Sequence, residues 1–145
     1  DLMTLDLNVL GLFHKHFTAK LYDVLLKLKN MKFYAVIIDD QTIDEAVPVL
    51  NLAGLYMKRD AKINGEDSFV NIQSVGSSIE WIMYVHNTSK KWSLHNMNGV
   101  KNNYAWIQSS KTYPVYPSDN TIEWEYWSTT DKSMKPLKMS VNQWS

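Results

Sequence analysis

The chain has 145 residues, 45% of them hydrophobic, which suits one domain, or one small domain carrying a helical extension. Fifteen lysines and arginines balance fifteen aspartates and glutamates, and this lack of net charge argues against a nucleic-acid or anionic-membrane partner. Cysteine is absent, which excludes a disulfide framework, thiolate metal sites and cysteine nucleophiles and favours an intracellular or organellar home.

No apolar run approaches the roughly 18–20 residues of a membrane span, so none is expected. The chain opens on Asp1 without a basic region, and no signal or transit peptide is read in it. Arg59 is the only arginine, and asparagine is plentiful, a skew that AT-rich coding in a protist-like source would produce.

Leu5 to Lys29 reads as an amphipathic helix. Leu10, Phe13, Phe17, Leu21, Val24 and Leu28 recur at steps of three and four and draw one apolar stripe. Leu12, Tyr22, Leu25 and Leu26 widen it, so the helix packs on the following domain or docks into a partner. Lys32–Ile38 is a continuous apolar run with β-branched and aromatic residues, a buried strand. Asp39, Asp40, Asp44 and Glu45 follow, but no glycine supplies the turn of a calcium loop, so a solvated acidic loop is expected. Pro48 marks an edge strand or extended linker. The expected division is therefore residues 1–50, a helix plus strand extension, and residues 51–145, an aromatic β-domain.

From Gly54 the texture changes to short strands and turns. Gly54–Arg59 alternates, and Asn64-Gly65 is the strongest short hairpin signal. Ser68–Gln73 resumes a strand and Gly76-Ser77-Ser78 breaks it. Ile79, Trp81, Met83 and Val85 face one way, and Glu80, Ile82, Tyr84 and His86 the other; two largely apolar faces predict a central strand. After a turn at Asn87–Lys91, Trp92–His95 returns, Asn98-Gly99 turns again, and Tyr104–Gln108 forms another strand. Tyr113–Asn120, with Pro114 and Pro117, must be loop or edge. Ile122–Trp127 alternates, and Pro136–Val141 closes the series. The fold class is α+β: an N-terminal amphipathic helix and one strand, then a mainly antiparallel meander, as a small sandwich or partly rolled sheet.

Gly54 and Tyr56, Asn64-Gly65 with Phe69, the Ile79–Tyr84 strand, Trp92 and Trp124 follow the loose pattern of a small aromatic β-module. Over residues 53–128 the chain resembles this module, which recurs in multidomain proteins of protists and algae. The resemblance implies a binding or interaction module with no assigned chemistry. A WW domain does not fit. Trp92, Tyr104 and Tyr113-Pro114 imitate its spacing, but tyrosine stands where the second tryptophan should be.

Residues fit for catalysis are scarce. His14 and His16 diverge by about 200° on a helix and cannot share a metal. His86 and His95 end neighbouring strands and can approach, but two ligands make no zinc site. Glu123 and Glu125 lie on one strand face about 7 Å apart, superficially like a glycosidase pair, although such acids usually come from different strands around a cleft. No phosphate loop, dinucleotide fingerprint or HExxH occurs. Asn87-Thr88-Ser89 satisfies the N-glycosylation sequon.

Aromatic surplus remains. One small sheet cannot bury six tryptophans on one face. Trp124 and Tyr126 share a face, so if that face is core, Trp127 is exposed and can anchor a protein or stack on a sugar. Tyr113-Pro114-Val115-Tyr116-Pro117 is an extended segment that can be read by, or can brace, a neighbouring surface. The expected function is a non-enzymatic protein-interaction module or an accessory, structural subunit. Its contacts are Phe17 and Leu21 of the helix and the aromatics Trp127, Tyr113 and Tyr116. The alternative is a carbohydrate-binding, lectin-like β-domain. No cofactor or metal is expected, and the partners are other protein subunits or a glycan.

Overall fold

The computed structural model describes residues 15–23, 32–40, 43 and 49–144, in two compact units that divide between Met31 and Lys32. In the first unit residues 15–23 are helical, and Phe17, Leu21 and Tyr22 are exposed. The rest of the expected helix, with Leu10, Phe13, Val24 and Leu28, lies outside the described residues, as do Asp44 and Glu45.

The second unit is a single antiparallel sheet. Its strands are β1 (Phe33–Ile38), β2 (Gly54–Lys58), β3 (Phe69–Asn71), β4 (Trp81–Val85), β5 (Lys91–Asn96), β6 (Ile107–Thr112), β7 (Trp124–Ser128), β8 (Ser133–Leu137) and β9 (Met139–Trp144). Their order across the sheet is β8-β7-β6-β5-β4-β3-β2-β1-β9. The two outermost strands, β8 and β9, are separated in sequence only by Lys138. Consecutive Cα atoms are about 3.8 Å apart, so a sheet whose edges are joined through one residue must curl back on itself. The sheet is thus rolled into a nearly closed, barrel-like form. At the junction the Asp39 N–H donates to the Lys138 carbonyl at 3.0 Å, and the Lys138 N–H to Asp40 Oδ2 at 3.2 Å.

β1 is bonded to β2 on one side and to β9 on the other. The strand read as part of an N-terminal extension is therefore a member of the sheet, and the compact unit begins at Lys32 instead of near Asn51. The predicted closing strand Pro136–Val141 is two strands meeting at Lys138, because its two halves bond to different neighbours, β7 and β1.

Phe69, Met83, Leu94, Ile107 and Tyr126 stand side by side across β3 to β7, all buried, and form the inner ladder of the core. Tyr34 meets Phe69 edge-on at 4.9 Å, and Phe69 lies 6.1 Å from Trp92, so aromatic rings continue the packing from β1 to β5. β4 lies in the middle of the strand order with both faces buried, as its two apolar faces predict. Its second face, Ile82 and Tyr84, joins Val70 under a cover of Met57, Ile63, Met97 and Val100. The Asn64-Gly65 hairpin is also present. Both residues have left-handed φ, 55° and 81°, and Ile63 and Glu66 exchange two backbone bonds across the turn. Between Lys91 and Ser93 the β5–β6 register slips by a bulge, where the Trp92 N–H donates to the Ser109 hydroxyl at 2.9 Å.

Two further expectations change. Asn98-Gly99 is not a hairpin turn but lies within a one-turn helix, Met97–Lys101. Asn96 caps it, its side chain accepting from the Gly99 N–H at 2.8 Å, a geometry that competes successfully with an Asn-Gly turn. That helix delays the following strand, so β6 runs Ile107–Thr112 rather than Tyr104–Gln108.

Candidate binding groove

The end of β5, the segment leading into β6 and the outer face of β7 border an open groove with a volume of about 410 Å³, lined by His95, Tyr104, Ala105, Trp106 and Trp127. Each lining residue is placed by local bonding. Leu94 is buried in the core, so its neighbour His95 takes the opposite, outer position on β5. The same alternation turns Trp127 outward beside buried Tyr126, as expected, and leaves it 39% exposed. The Trp106 backbone links the two strands, donating to the Leu94 carbonyl at 2.9 Å and accepting from the Trp127 N–H at 2.8 Å. Tyr104 is held by its main chain: its N–H donates to the Gly99 carbonyl at 2.8 Å, and its carbonyl accepts from the Tyr84 hydroxyl.

His95 is the most constrained member. Its ring stacks on the Trp106 indole, with centroids 5.4 Å apart and planes inclined by 21°. Nδ1 accepts from the Asn96 backbone N–H at 2.8 Å, which assigns the imidazole proton to Nε2. The Asn96 side-chain oxygen also approaches Nδ1, at 3.2 Å, but that oxygen already accepts from Gly99, and the fixed backbone donor decides the tautomer. Burial lowers the His95 pKa, with the contact to Asn96 opposing, and therefore favours the neutral ring. Gly99 makes room for it, since a Cβ at that position would lie 1.9 Å from His95 Nδ1.

The other predicted contact residues lie elsewhere. Tyr113 follows the far end of β6, roughly 20 Å along the strand from Trp106 at strand spacing. Its ring packs edge-on against Trp92 at 6.3 Å. The Glu66 carboxylate beside it, acting through hydrogen bonding and its negative charge, raises the pKa of the Tyr113 phenol. Tyr116 faces the Lys32 ammonium at 5.9 Å. The Tyr113–Pro117 segment is a turn-rich loop, not an extended strand, because it braces the barrel: the Trp92 indole donates to the Val115 carbonyl at 2.6 Å and Pro117 is fully buried. Phe17 and Leu21 belong to the other compact unit.

His86 and His95 do not meet. His86 pairs with Lys91 and His95 with Ile82, at opposite ends of the β4–β5 hairpin. His86 is instead bound locally, Nδ1 accepting from the Thr88 and Ser89 N–H groups and Nε2 donating to the Asn103 carbonyl. Glu123 and Glu125 line a different cavity with Pro136 and Lys138, one that Trp127 does not reach. Among the described residues no three His, Asp or Glu side chains cluster to hold a metal, and no helix is long and apolar enough to cross a membrane.

Sequence reasoning reached Trp127 but missed Trp106, Tyr104 and His95. The signal was Asn96 three residues before Gly99, an N-cap spacing that fixes the helix and with it the groove. No family model, curated protein or solved structure matches the chain.

Proposed function

We propose that this protein is a non-enzymatic interaction module, an accessory or structural subunit of a larger assembly, with the Trp127 groove as a contact surface. The observation that carries this reading is the concentration of Trp127, Trp106, Tyr104 and His95 around one open groove on the barrel. Tryptophan and tyrosine dominate the energetics of protein contacts, and clustered exposed aromatics mark such surfaces. Exposed Phe17 and Leu21, one helical turn apart, support a second contact along residues 15–23. The lectin-like alternative draws on the exposed Trp127 face, on which a sugar ring can stack. The groove lining, however, contains no carboxylate or amide side chain to accept from sugar hydroxyls.

The test is size-exclusion chromatography with mass spectrometry on native extract containing the tagged full chain. The expected result is co-elution with a larger species that Trp127→Ala abolishes without changing the melting temperature. Elution of the wild type as a free monomer overturns the reading. A glycan-array signal that the same substitution removes would replace it with the lectin-like one.

A further inference from the structure

We infer that Asn64 is a spontaneous deamidation site, where the folded chain converts an amide to a carboxylate and so unties the end of β4. The site is independent of the groove and of any partner there. Asparagine followed by glycine is the pair most open to this reaction, because glycine has no side chain to shield its backbone nitrogen. The chain has two such pairs, Asn64-Gly65 and Asn98-Gly99, and the fold treats them oppositely. Gly99 is buried in the short helix, its N–H donates to Asn96 Oδ1 at 2.8 Å, and the His95 ring fills the space beside its Cα. The Asn98 carbonyl is held as well, accepting from the Asn102 N–H at 3.2 Å. Asn64 and Gly65 are both exposed at the hairpin tip, and no atom lies within 4 Å of where a Cβ on Gly65 would stand. Among the described residues the Gly65 N–H has no partner. One isolated bridge, Ile63–Glu66, closes the turn, so the tip can leave its left-handed conformation while the sheet stays intact.

The only co-reactant is water. The Gly65 amide nitrogen, its proton lost to solvent, attacks Asn64 Cγ. The new N–Cγ bond closes a cyclic imide, the Cγ–Nδ2 bond breaks, and Nδ2 takes up a proton and leaves as ammonia. Water then adds to either imide carbonyl and opens the ring, giving aspartate, or isoaspartate with the main chain rerouted through Cγ. Nothing is oxidised or reduced. The product matters because of what the Asn64 amide holds. β3 and β4 pair as far as Phe69 and Met83, which leaves Val85, two residues on and buried, without a β3 partner. Asn64 Nδ2 takes that place, donating to the Val85 carbonyl at 2.8 Å. A carboxylate cannot donate, so the reaction removes this tie and sets negative charge against a carbonyl oxygen. The new charge also extends the acidic pair Glu66-Asp67 next in the chain.

The experiment is peptide mapping by mass spectrometry of the full chain aged in mildly alkaline buffer, folded in one series and unfolded in urea in another. In urea the two Asn-Gly pairs should convert at similar rates, since only their local sequence then acts. In the folded chain Asn64 should convert at least about tenfold faster than Asn98, because reaching Gly65 takes a local opening and reaching Gly99 takes loss of the helix. Equal folded rates, a faster Asn98, or no conversion of Asn64 over a period that converts it in urea would each overturn the inference. Asn64→Asp imitates one product and keeps a residue that tolerates the left-handed turn. It should melt about 4–10 °C below the wild type through the unpartnered Val85 carbonyl. An Asn64→Asp protein that melts with the wild type would overturn the claim that the reaction unties β4.

Discussion

Gly99→Ala probes how the groove is assembled. Gly99 lies inside a helix, where alanine is normally better by up to about 1 kcal/mol, so propensity alone predicts a gain. The packing predicts a loss. The new Cβ would stand 1.9 Å from His95 Nδ1, 2.2 Å from Cγ and 2.4 Å from Cε1, all far inside contact distance. The imidazole must therefore leave its place, and in doing so it gives up the Asn96 N–H bond and the stack on Trp106. Overpacking costs about 1–3 kcal/mol and the lost hydrogen bond about 0.5–1.5 kcal/mol. Set against the propensity gain, the net destabilisation is about 1–3 kcal/mol, or roughly 4–12 °C in melting temperature for a domain of this size. The assay is thermal and urea unfolding of Gly99→Ala, His95→Ala and the double variant. If the ring is the obstacle, His95→Ala removes it, and the double variant should be more stable than the sum of the single effects by at least about 1 kcal/mol. A Gly99→Ala protein as stable as the wild type, or two additive effects, would refute the reasoning.

Two further outcomes follow from the same structure. The His95 pKa is lowered by burial, so the unfolded chain binds a proton that the folded chain resists; stability is full above the ordinary histidine range and falls as pH drops below about 6.5. His95→Gln should flatten that fall in a melting-temperature series against pH, and an unchanged slope would count against it. Trp92→Phe keeps most of the buried ring but removes the bond to the Val115 carbonyl, which should cost about 1–3 kcal/mol and speed limited proteolysis within Tyr113–Pro117.

What could be read from the sequence was what strand alternation and local turn chemistry encode. The two apolar faces of Ile79–His86 placed β4 centrally, Asn64-Gly65 fixed a hairpin, and alternation in β7 turned Trp127 away from the core. Each of these depends on residues within a few positions of one another. The misses depend on distant partners. Nothing local to Pro136–Val141 reveals that its halves bond to β7 and to β1, and the pattern of apolar residues is the same for one strand or two. The groove was hidden for a related reason. Trp106, Trp127 and His95 come from three segments, and only the delay imposed by the Asn96-capped helix brings them together.

The closure of the barrel can be tested at Val141. It is 6% exposed and lies opposite buried Val36 in the β1–β9 pair, on the seam that makes a rolled sheet of an open one. Asn142, the next residue, is exposed. If β9 is a true stave of the barrel, alternation makes these two positions energetically opposite. Val141→Asp places a carboxyl group in the apolar interior with no partner, and loses the valine packing as well. The combined cost is about 3–5 kcal/mol, a large fraction of the 5–15 kcal/mol that holds a typical domain. Asn142→Asp adds the same charge to the outer surface and should change stability by no more than about 0.5 kcal/mol. The two proteins would be compared by urea unfolding with tryptophan fluorescence. A cooperative transition near the wild-type midpoint for Val141→Asp would mean that β9 does not face the core. The opposite pattern, with Asn142→Asp the damaging change, would mean a register slipped by one residue.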